Sequence, residues 1–281
     1  MSILAAILLA LIAGITEVLP VSGTGHLFLF AKLFGISAAG AEFQTFRGVL
    51  YLGVSFGLLL YYRMQAADIV RENLILLGVL RPSVQHRAES FGRRLGMLLF
   101  FAALPMLPAL LLNGLRTRLE QGSGALAAVS VLLCISGALL YFASRGARGK
   151  RSIHQATLSD AVYAGLFQIP TVLPGFSRSG FTLAAFLSRG MEGTAAAELS
   201  GLMGVPVFLG AGLVQLIYAA SLEGGSPGTA YLFLGFALAT LSAFFTIRIF
   251  TEWMSRHKPV GFAYWSWGAG ILSLILFLLS A

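Results

Sequence analysis

Residues 16–27 read TEVLPVSGTGHL. They place a carboxylate, Glu17, and an imidazole, His26, around a turn of Pro, Ser and Gly, with apolar runs at 3–15 and 27–34 on either side. Pro and Gly end helices and form turns, and ionisable groups at membrane depth are costly. A second stretch, LPGFSRSG at 173–180, breaks another apolar region in the same way. The arms flanking each break run to about ten to seventeen residues, short of the roughly twenty that a spanning helix needs. The regions 2–37 and 158–190 therefore read as re-entrant helical hairpins, whose irregular turns are tolerated where protein or a water-filled cavity surrounds them.

The rest of the chain supports a membrane setting. Of its 281 residues, 57% are hydrophobic and 11% charged, whereas soluble domains carry about a quarter charged. Six further segments are long and apolar enough to span, near 43–62, 95–113, 124–143, 196–219, 229–250 and 261–280. The formal charge of +8 sits in short loops between apolar runs, where it sets topology, so no nucleic-acid partner is expected. Cys134, the single cysteine, reads as a small apolar residue and excludes an intramolecular disulfide. No Lys or Arg precedes the first apolar run, and Glu17 and Pro20 stand where a cleavage region would be small and neutral. Both points speak against a cleaved signal peptide.

Lys and Arg give an orientation. Residues 63–95 carry Arg63, Arg71, Arg81, Arg87, Arg93 and Arg94, residues 145–157 carry Arg145, Arg148, Lys150 and Arg151, and the last loop carries Arg256 and Lys258 with Arg248 just before it. The 114–123 loop has only Arg116 and Arg118, and the 221–228 loop none. The first three are cytoplasmic by the positive-inside rule. The first hairpin then enters and leaves on the outer side and the second on the inner side. The expected fold is an all-α polytopic membrane protein, one domain over 1–281, made of two inverted-topology repeats of about 1–144 and 158–281. Each repeat is a re-entrant hairpin followed by three transmembrane helices, and the two turns meet near the midplane.

Each turn puts hydroxyl residues before a resumed helix: Ser22 and Thr24, then Ser177 and Ser179. These are N-cap types, and a helix N-terminus is an anion site. Two facing N-termini with Arg178 beside them suit a multiply charged anion such as a diphosphate. His26, close to Glu17 in a broken helix, reads as functional. Arg47 reads either as a residue of the site or as one that snorkels to the outer interface. Glu198 reads either as functional or as a core partner of Arg178 or Arg189.

GITEVLPVSGTGHL and LPGFSRSGFTL resemble the two signature regions of the bacterial undecaprenyl-diphosphate phosphatases, the bacitracin-resistance type. TFRGVLYLG (45–53) and AAELSGLMGVP (196–206) resemble two further family segments, so the likeness covers much of the chain in order. The resemblance implies a phosphatase that converts a C55 polyprenyl diphosphate to the monophosphate, recycling the lipid carrier of cell-wall synthesis. It also implies a multi-pass protein of the bacterial plasma membrane, a site open to the outer side, and a divalent cation, magnesium or calcium. By position it assigns Glu17, His26 and Arg178 to catalysis, with Glu17 as the metal ligand. Ser22, Thr24, Ser177, Ser179 and Thr182 fall to phosphate binding and Glu198 to a supporting role; Arg47, beside them, is read as a further phosphate-binding residue and Tyr51 as a supporting one, although neither matches the family residue at its place. A homodimer is left open.

The chain departs from the family pattern at four places. Ala13 stands where the first of two glutamates belongs, Gly23 replaces a serine proposed as nucleophile, Arg47 replaces a glutamate, and Tyr51 a glutamine. The site thereby gains about three units of positive charge, two from lost carboxylates and one from the new cation. Two readings follow: a phosphatase working with one carboxylate of the usual pair, or a carrier or flippase of polyprenyl phosphate on the same fold. The membrane phosphatases with a PSGH motif are set aside, because their Arg-Pro motif and their later His near an Asp are absent.

Overall fold

The computed structural model describes residues 1–81, 91–109, 112–146 and 149–280; Arg87 and Arg148, two of the charges used for orientation, lie outside them. The described chain is helical, and six helical segments are long and apolar enough to cross a membrane. These are α3 (Ala41–Tyr61), the pair α5 (Phe91–Ala103) and α6 (Met106–Ala109), α8 (Ala125–Gly146), α11 (Gly193–Ala220), α12 (Thr229–Met254) and α13 (Val260–Ser280). They match the six expected spans. The two interrupted regions fold as short helix pairs: α1 (Ile3–Val18) with α2 (Gly23–Leu33), and α9 (Leu158–Phe167) with α10 (Arg178–Ser188). At 1.5 Å per residue, α2, α9 and α10 reach only about 15–17 Å, half a hydrocarbon core of about 30 Å.

The turns share a construction. Leu19 precedes Pro20 and is extended (φ −71°, ψ 149°), as is Leu173 before Pro174 (φ −79°, ψ 132°). A residue before proline is pushed out of the helical region, so α1 stops at Val18 and the 3-10 turn Ile169–Val172 stops before Leu173. One residue of positive φ then reverses each chain: Ser22 (φ 71°) in the first turn and Gly175 (φ 109°) in the second. Ser22 is the only non-glycine with positive φ among the described residues. A serine caps each resumed helix, with Ser22 Oγ accepting from the Gly25 N–H and Ser177 Oγ from the Gly180 N–H.

Two helices were not expected from the sequence. α4 (Arg63–Leu76) follows α3 on the side carrying most of the basic loops and packs on α5. α7 (Asn113–Gln121) occupies what read as a plain loop and contributes buried Glu120. The bundle is closed by α3 against α11 and α12, α8 against α13, α1 against α12, and α5 against α9.

Candidate active site

The two turns interlock at the centre of the bundle. Ser22 Oγ donates to the Phe176 carbonyl (3.1 Å), and Ser179 Oγ donates to the Leu19 carbonyl (2.7 Å). A Cβ at Gly25 would stand 3.2 Å from the Gly175 Cα, so glycine there lets the two backbones touch. The Ser177 N–H donates to Ser136 Oγ (3.1 Å), and Thr182 Oγ1 lies 2.7 Å from Ser200 Oγ. Ser22, Ser177, Ser179 and Thr182 thus fasten the turns, while the first-turn N–H groups of α2 and α10 lack intrahelical acceptors.

Beside this junction lies a cavity of about 270 Å³. Glu17, Thr24, Tyr51 and Arg178 line its polar part, and Met106, Leu107, Val207, Ala211 and Val214 line its apolar wall, between the α5–α6 pair and α11. Arg178 is buried; its Nη1 donates to the Ser200 carbonyl (2.8 Å) and its guanidinium lies 4.7 Å from the centre of the Phe208 ring. Glu17 is also buried, and its carboxyl group fills the space over Gly23, where a Cβ would meet the carboxyl carbon at 2.1 Å. The serine side chain missing at 23 is therefore replaced in space by the Glu17 carboxylate. Buried polar atoms are nearly always satisfied, yet Glu17 Oε1, Thr24 Oγ1 and Arg178 Nε, all from cavity-lining residues, have no hydrogen-bond partner. The Arg178 N–H and the Thr24 hydroxyl can donate to the oxygens of an anion, while the Glu17 carboxylate can accept from a water or hold a cation.

Other assigned residues sit elsewhere. His26 does not line the cavity: its Nδ1 is 2.8 Å from the Ser22 carbonyl and its Nε2 accepts from the Trp265 indole N–H (3.0 Å). Both ring nitrogens are engaged, and no hydrogen bond joins His26 to Glu17. Arg47 points to α7, where Nη1 and Nη2 meet the two Glu120 oxygens at 2.8 and 3.3 Å and Nη2 also reaches Gln44 and Gln215. Glu120 thus pairs with the extra cation, and shares its carboxylate with Arg116 at 3.9 Å. Glu198 pairs with neither proposed partner: Arg178 turns to Ser200 and Arg189 to Asp160. Tyr51 lines the cavity with its ring 6.0 Å from that of Phe208.

The sequence reading missed Phe208, Arg116 and Gln215, which also line the cavity. Gln215 carried a usable signal, being the single amide side chain in the apolar α11. Arg116 carried none beyond its charge. Among the described residues, no three His, Cys, Asp or Glu side chains group as ligands for a metal. The carboxylate oxygen without a partner in the cavity lining is Glu17 Oε1, which fits an ion such as magnesium that takes one carboxylate and fills its shell with water and phosphate oxygens.

An all-helical membrane bundle with two broken hairpins and a buried cavity holding Arg178, Arg116 and Glu17 defines the class, and sequence comparison then gives the family. Residues 6–272 match the family model described as bacitracin resistance protein BacA. The chain is 33% identical to an undecaprenyl-diphosphatase of Anaeromyxobacter sp. (strain Fw109-5), over 98% of this chain and 88% of the relative. It is 31% identical to one of Methanobrevibacter smithii, over 97% and 96%, and 30% identical to one of Alkaliphilus metalliredigens, over 98% of both. The protein belongs to the bacitracin resistance protein BacA family.

Proposed function

We propose that the protein hydrolyses undecaprenyl diphosphate to undecaprenyl phosphate, returning a lipid carrier to cell-wall synthesis. One observation carries this reading: three partnerless buried polar atoms, on Glu17, Thr24 and Arg178, belong to one cavity whose remaining wall is apolar. The polar part suits the diphosphate and the apolar wall suits the first isoprene units. Arg178 and the α2 and α10 N-termini hold the equatorial oxygens of the terminal phosphate and stabilise charge there as it is transferred. Glu17 orients a water and takes its proton as the water oxygen bonds to phosphorus. The bond from phosphorus to the bridging oxygen breaks, polyprenyl phosphate leaves, and the proton returns to the released phosphate. A divalent cation held by Glu17 would neutralise phosphate charge.

The site sits in a bacterial plasma membrane and opens outward. The cavity lining includes Arg116, on the 114–123 segment, which has two Arg against six in 63–95 and four Lys or Arg in 145–157, and the loops with fewer lie outside. The packing supports an inverted repeat, because α3 faces its counterpart α11 and α8 its counterpart α13, while α1 on α12 mirrors α9 on α5.

The test is phosphate release from undecaprenyl diphosphate by purified protein, with magnesium, with calcium and with chelator. Glu17→Gln and Arg178→Ala should each lower turnover by about a hundredfold or more. Absence of release under every metal condition, with lipid phosphate still bound through Arg178, would make the protein a carrier or flippase instead.

A further inference from the structure

Arg116 lines the same cavity as Arg178, but from α7. Its Nη2 donates to Gln215 Oε1 (2.9 Å), and its Nε, buried and without a hydrogen-bond partner, lies 3.9 Å from Glu120 Oε1. Glu120 makes its short contacts to Arg47. Two cations thus face one carboxylate; each keeps an Nε without a hydrogen-bond partner, and Arg116 is the one that lines the cavity. Its position is fixed, since Gln215 is held in turn by Gln44 and Arg47.

The two cavity arginines are anchored to one helix at related places. Arg178 stacks on Phe208 and Arg116 bonds to Gln215. Those α11 positions are two turns apart on one face, or about 10 Å along the axis. That spacing of anchor points, with charge-assisted hydrogen bonds of about 2.8 Å at each end, is on the scale of a two-phosphate ligand.

We propose that Arg116 is a second phosphate-binding residue, holding the prenyl-linked phosphate while Arg178 holds the phosphate that is cleaved. This rests on the diphosphatase reading for the identity of the ligand. It assigns specificity: a diphosphate engages both arginines, and after cleavage the lipid product stays on Arg116 while inorganic phosphate stays on Arg178.

The experiment uses the full chain in detergent and two ligands, farnesyl monophosphate and inorganic phosphate. Each is measured by direct binding and as an inhibitor of turnover. In Arg116→Gln, farnesyl monophosphate should bind about ten- to a hundredfold more weakly, the worth of a charge-assisted hydrogen bond, with inorganic phosphate changed less than about twofold. Arg116→Lys should recover part of the loss. Equal weakening of both ligands, or none, overturns the proposal, the first because it marks a structural role. The direct-binding arm separates the two readings. If the parent protein releases no phosphate, the diphosphatase reading fails, while selective, Arg116-dependent binding of the lipid phosphate still supports this assignment.

Discussion

Arg47 and Arg178 are both buried inside the bundle, at 1% and 7% exposure, and they differ in what faces them. Arg47 meets both oxygens of Glu120 and two glutamine side chains. Arg178 meets a carbonyl and an aromatic face, and among the described residues no carboxylate lies within ion-pair distance of it. Taking a guanidinium out of water is expensive unless a partner is well placed. The first cluster supplies that partner from the protein. The second leaves the place open beside a cavity, which is what a binding site for an anion requires. The contrast teaches that charge at membrane depth marks a ligand site only where the protein has not matched it.

The largest effect that could break this contrast is on stability. Arg47→Ala leaves Glu120 buried with only Arg116 at 3.9 Å, and removing one partner of a buried pair costs about 3–5 kcal/mol. Arg178→Ala removes one hydrogen bond and an unmatched charge, so its stability should stay within about 1 kcal/mol of the parent even as turnover collapses. Thermal unfolding of both variants in the same detergent checks the order. Equal losses would place Arg178 among the structural residues.

His26 sharpens the comparison at a smaller scale. Both ring nitrogens are satisfied by the protein, which puts it with Arg47 rather than with Arg178. His26→Ala should cost about 1 kcal/mol, by removing the acceptor of the Trp265 N–H, whose residue is itself exposed, and should keep turnover within about tenfold of the parent. A loss of turnover of a thousandfold or more would show that the ring leaves Trp265 to act on substrate.

The hairpins were legible because their determinants are local. Leu19–Pro20 and Leu173–Pro174 stop helices, Ser22 and Ser177 restart them, and both signals span a few residues. The spans were legible from length and apolarity alone. Partnerships across the bundle were not. Glu120 lies 73 residues from Arg47, and Trp265 lies 239 residues from His26. Whether a buried ionisable group is matched depends on which helices pack together. The same uncertainty made Arg47 look like a ligand-binding residue and Glu198 a partner of Arg178. Gly23 was legible as a departure, but that Glu17 fills its place became visible only in space.

The third charged cluster is a matched one at the start of the second hairpin, and it offers the smallest effect. Asp160 caps α9 together with Thr157 and receives Arg151 at 2.6 Å and Arg189 at 2.7 Å. Burial pushes its carboxyl pKa up, but the hydrogen bonds from Arg151, Arg189 and Thr157 outweigh this and hold it well below the usual carboxylate range. A carboxylate whose folded pKa is depressed stabilises the fold above its unfolded value of about 3.9 and loses that contribution as the pH falls toward its folded value. Arg151 and Arg189 are 33% and 42% exposed, so solvent screens each pair to about 1 kcal/mol or less. The unfolding midpoint of the parent should exceed that of Asp160→Asn by a constant margin from about pH 7 to pH 5, and the margin should narrow below about pH 4. A margin unchanged down to pH 3 would mean that Asp160 acts as a neutral cap, and that the matched clusters owe their stability to hydrogen-bond geometry rather than to charge.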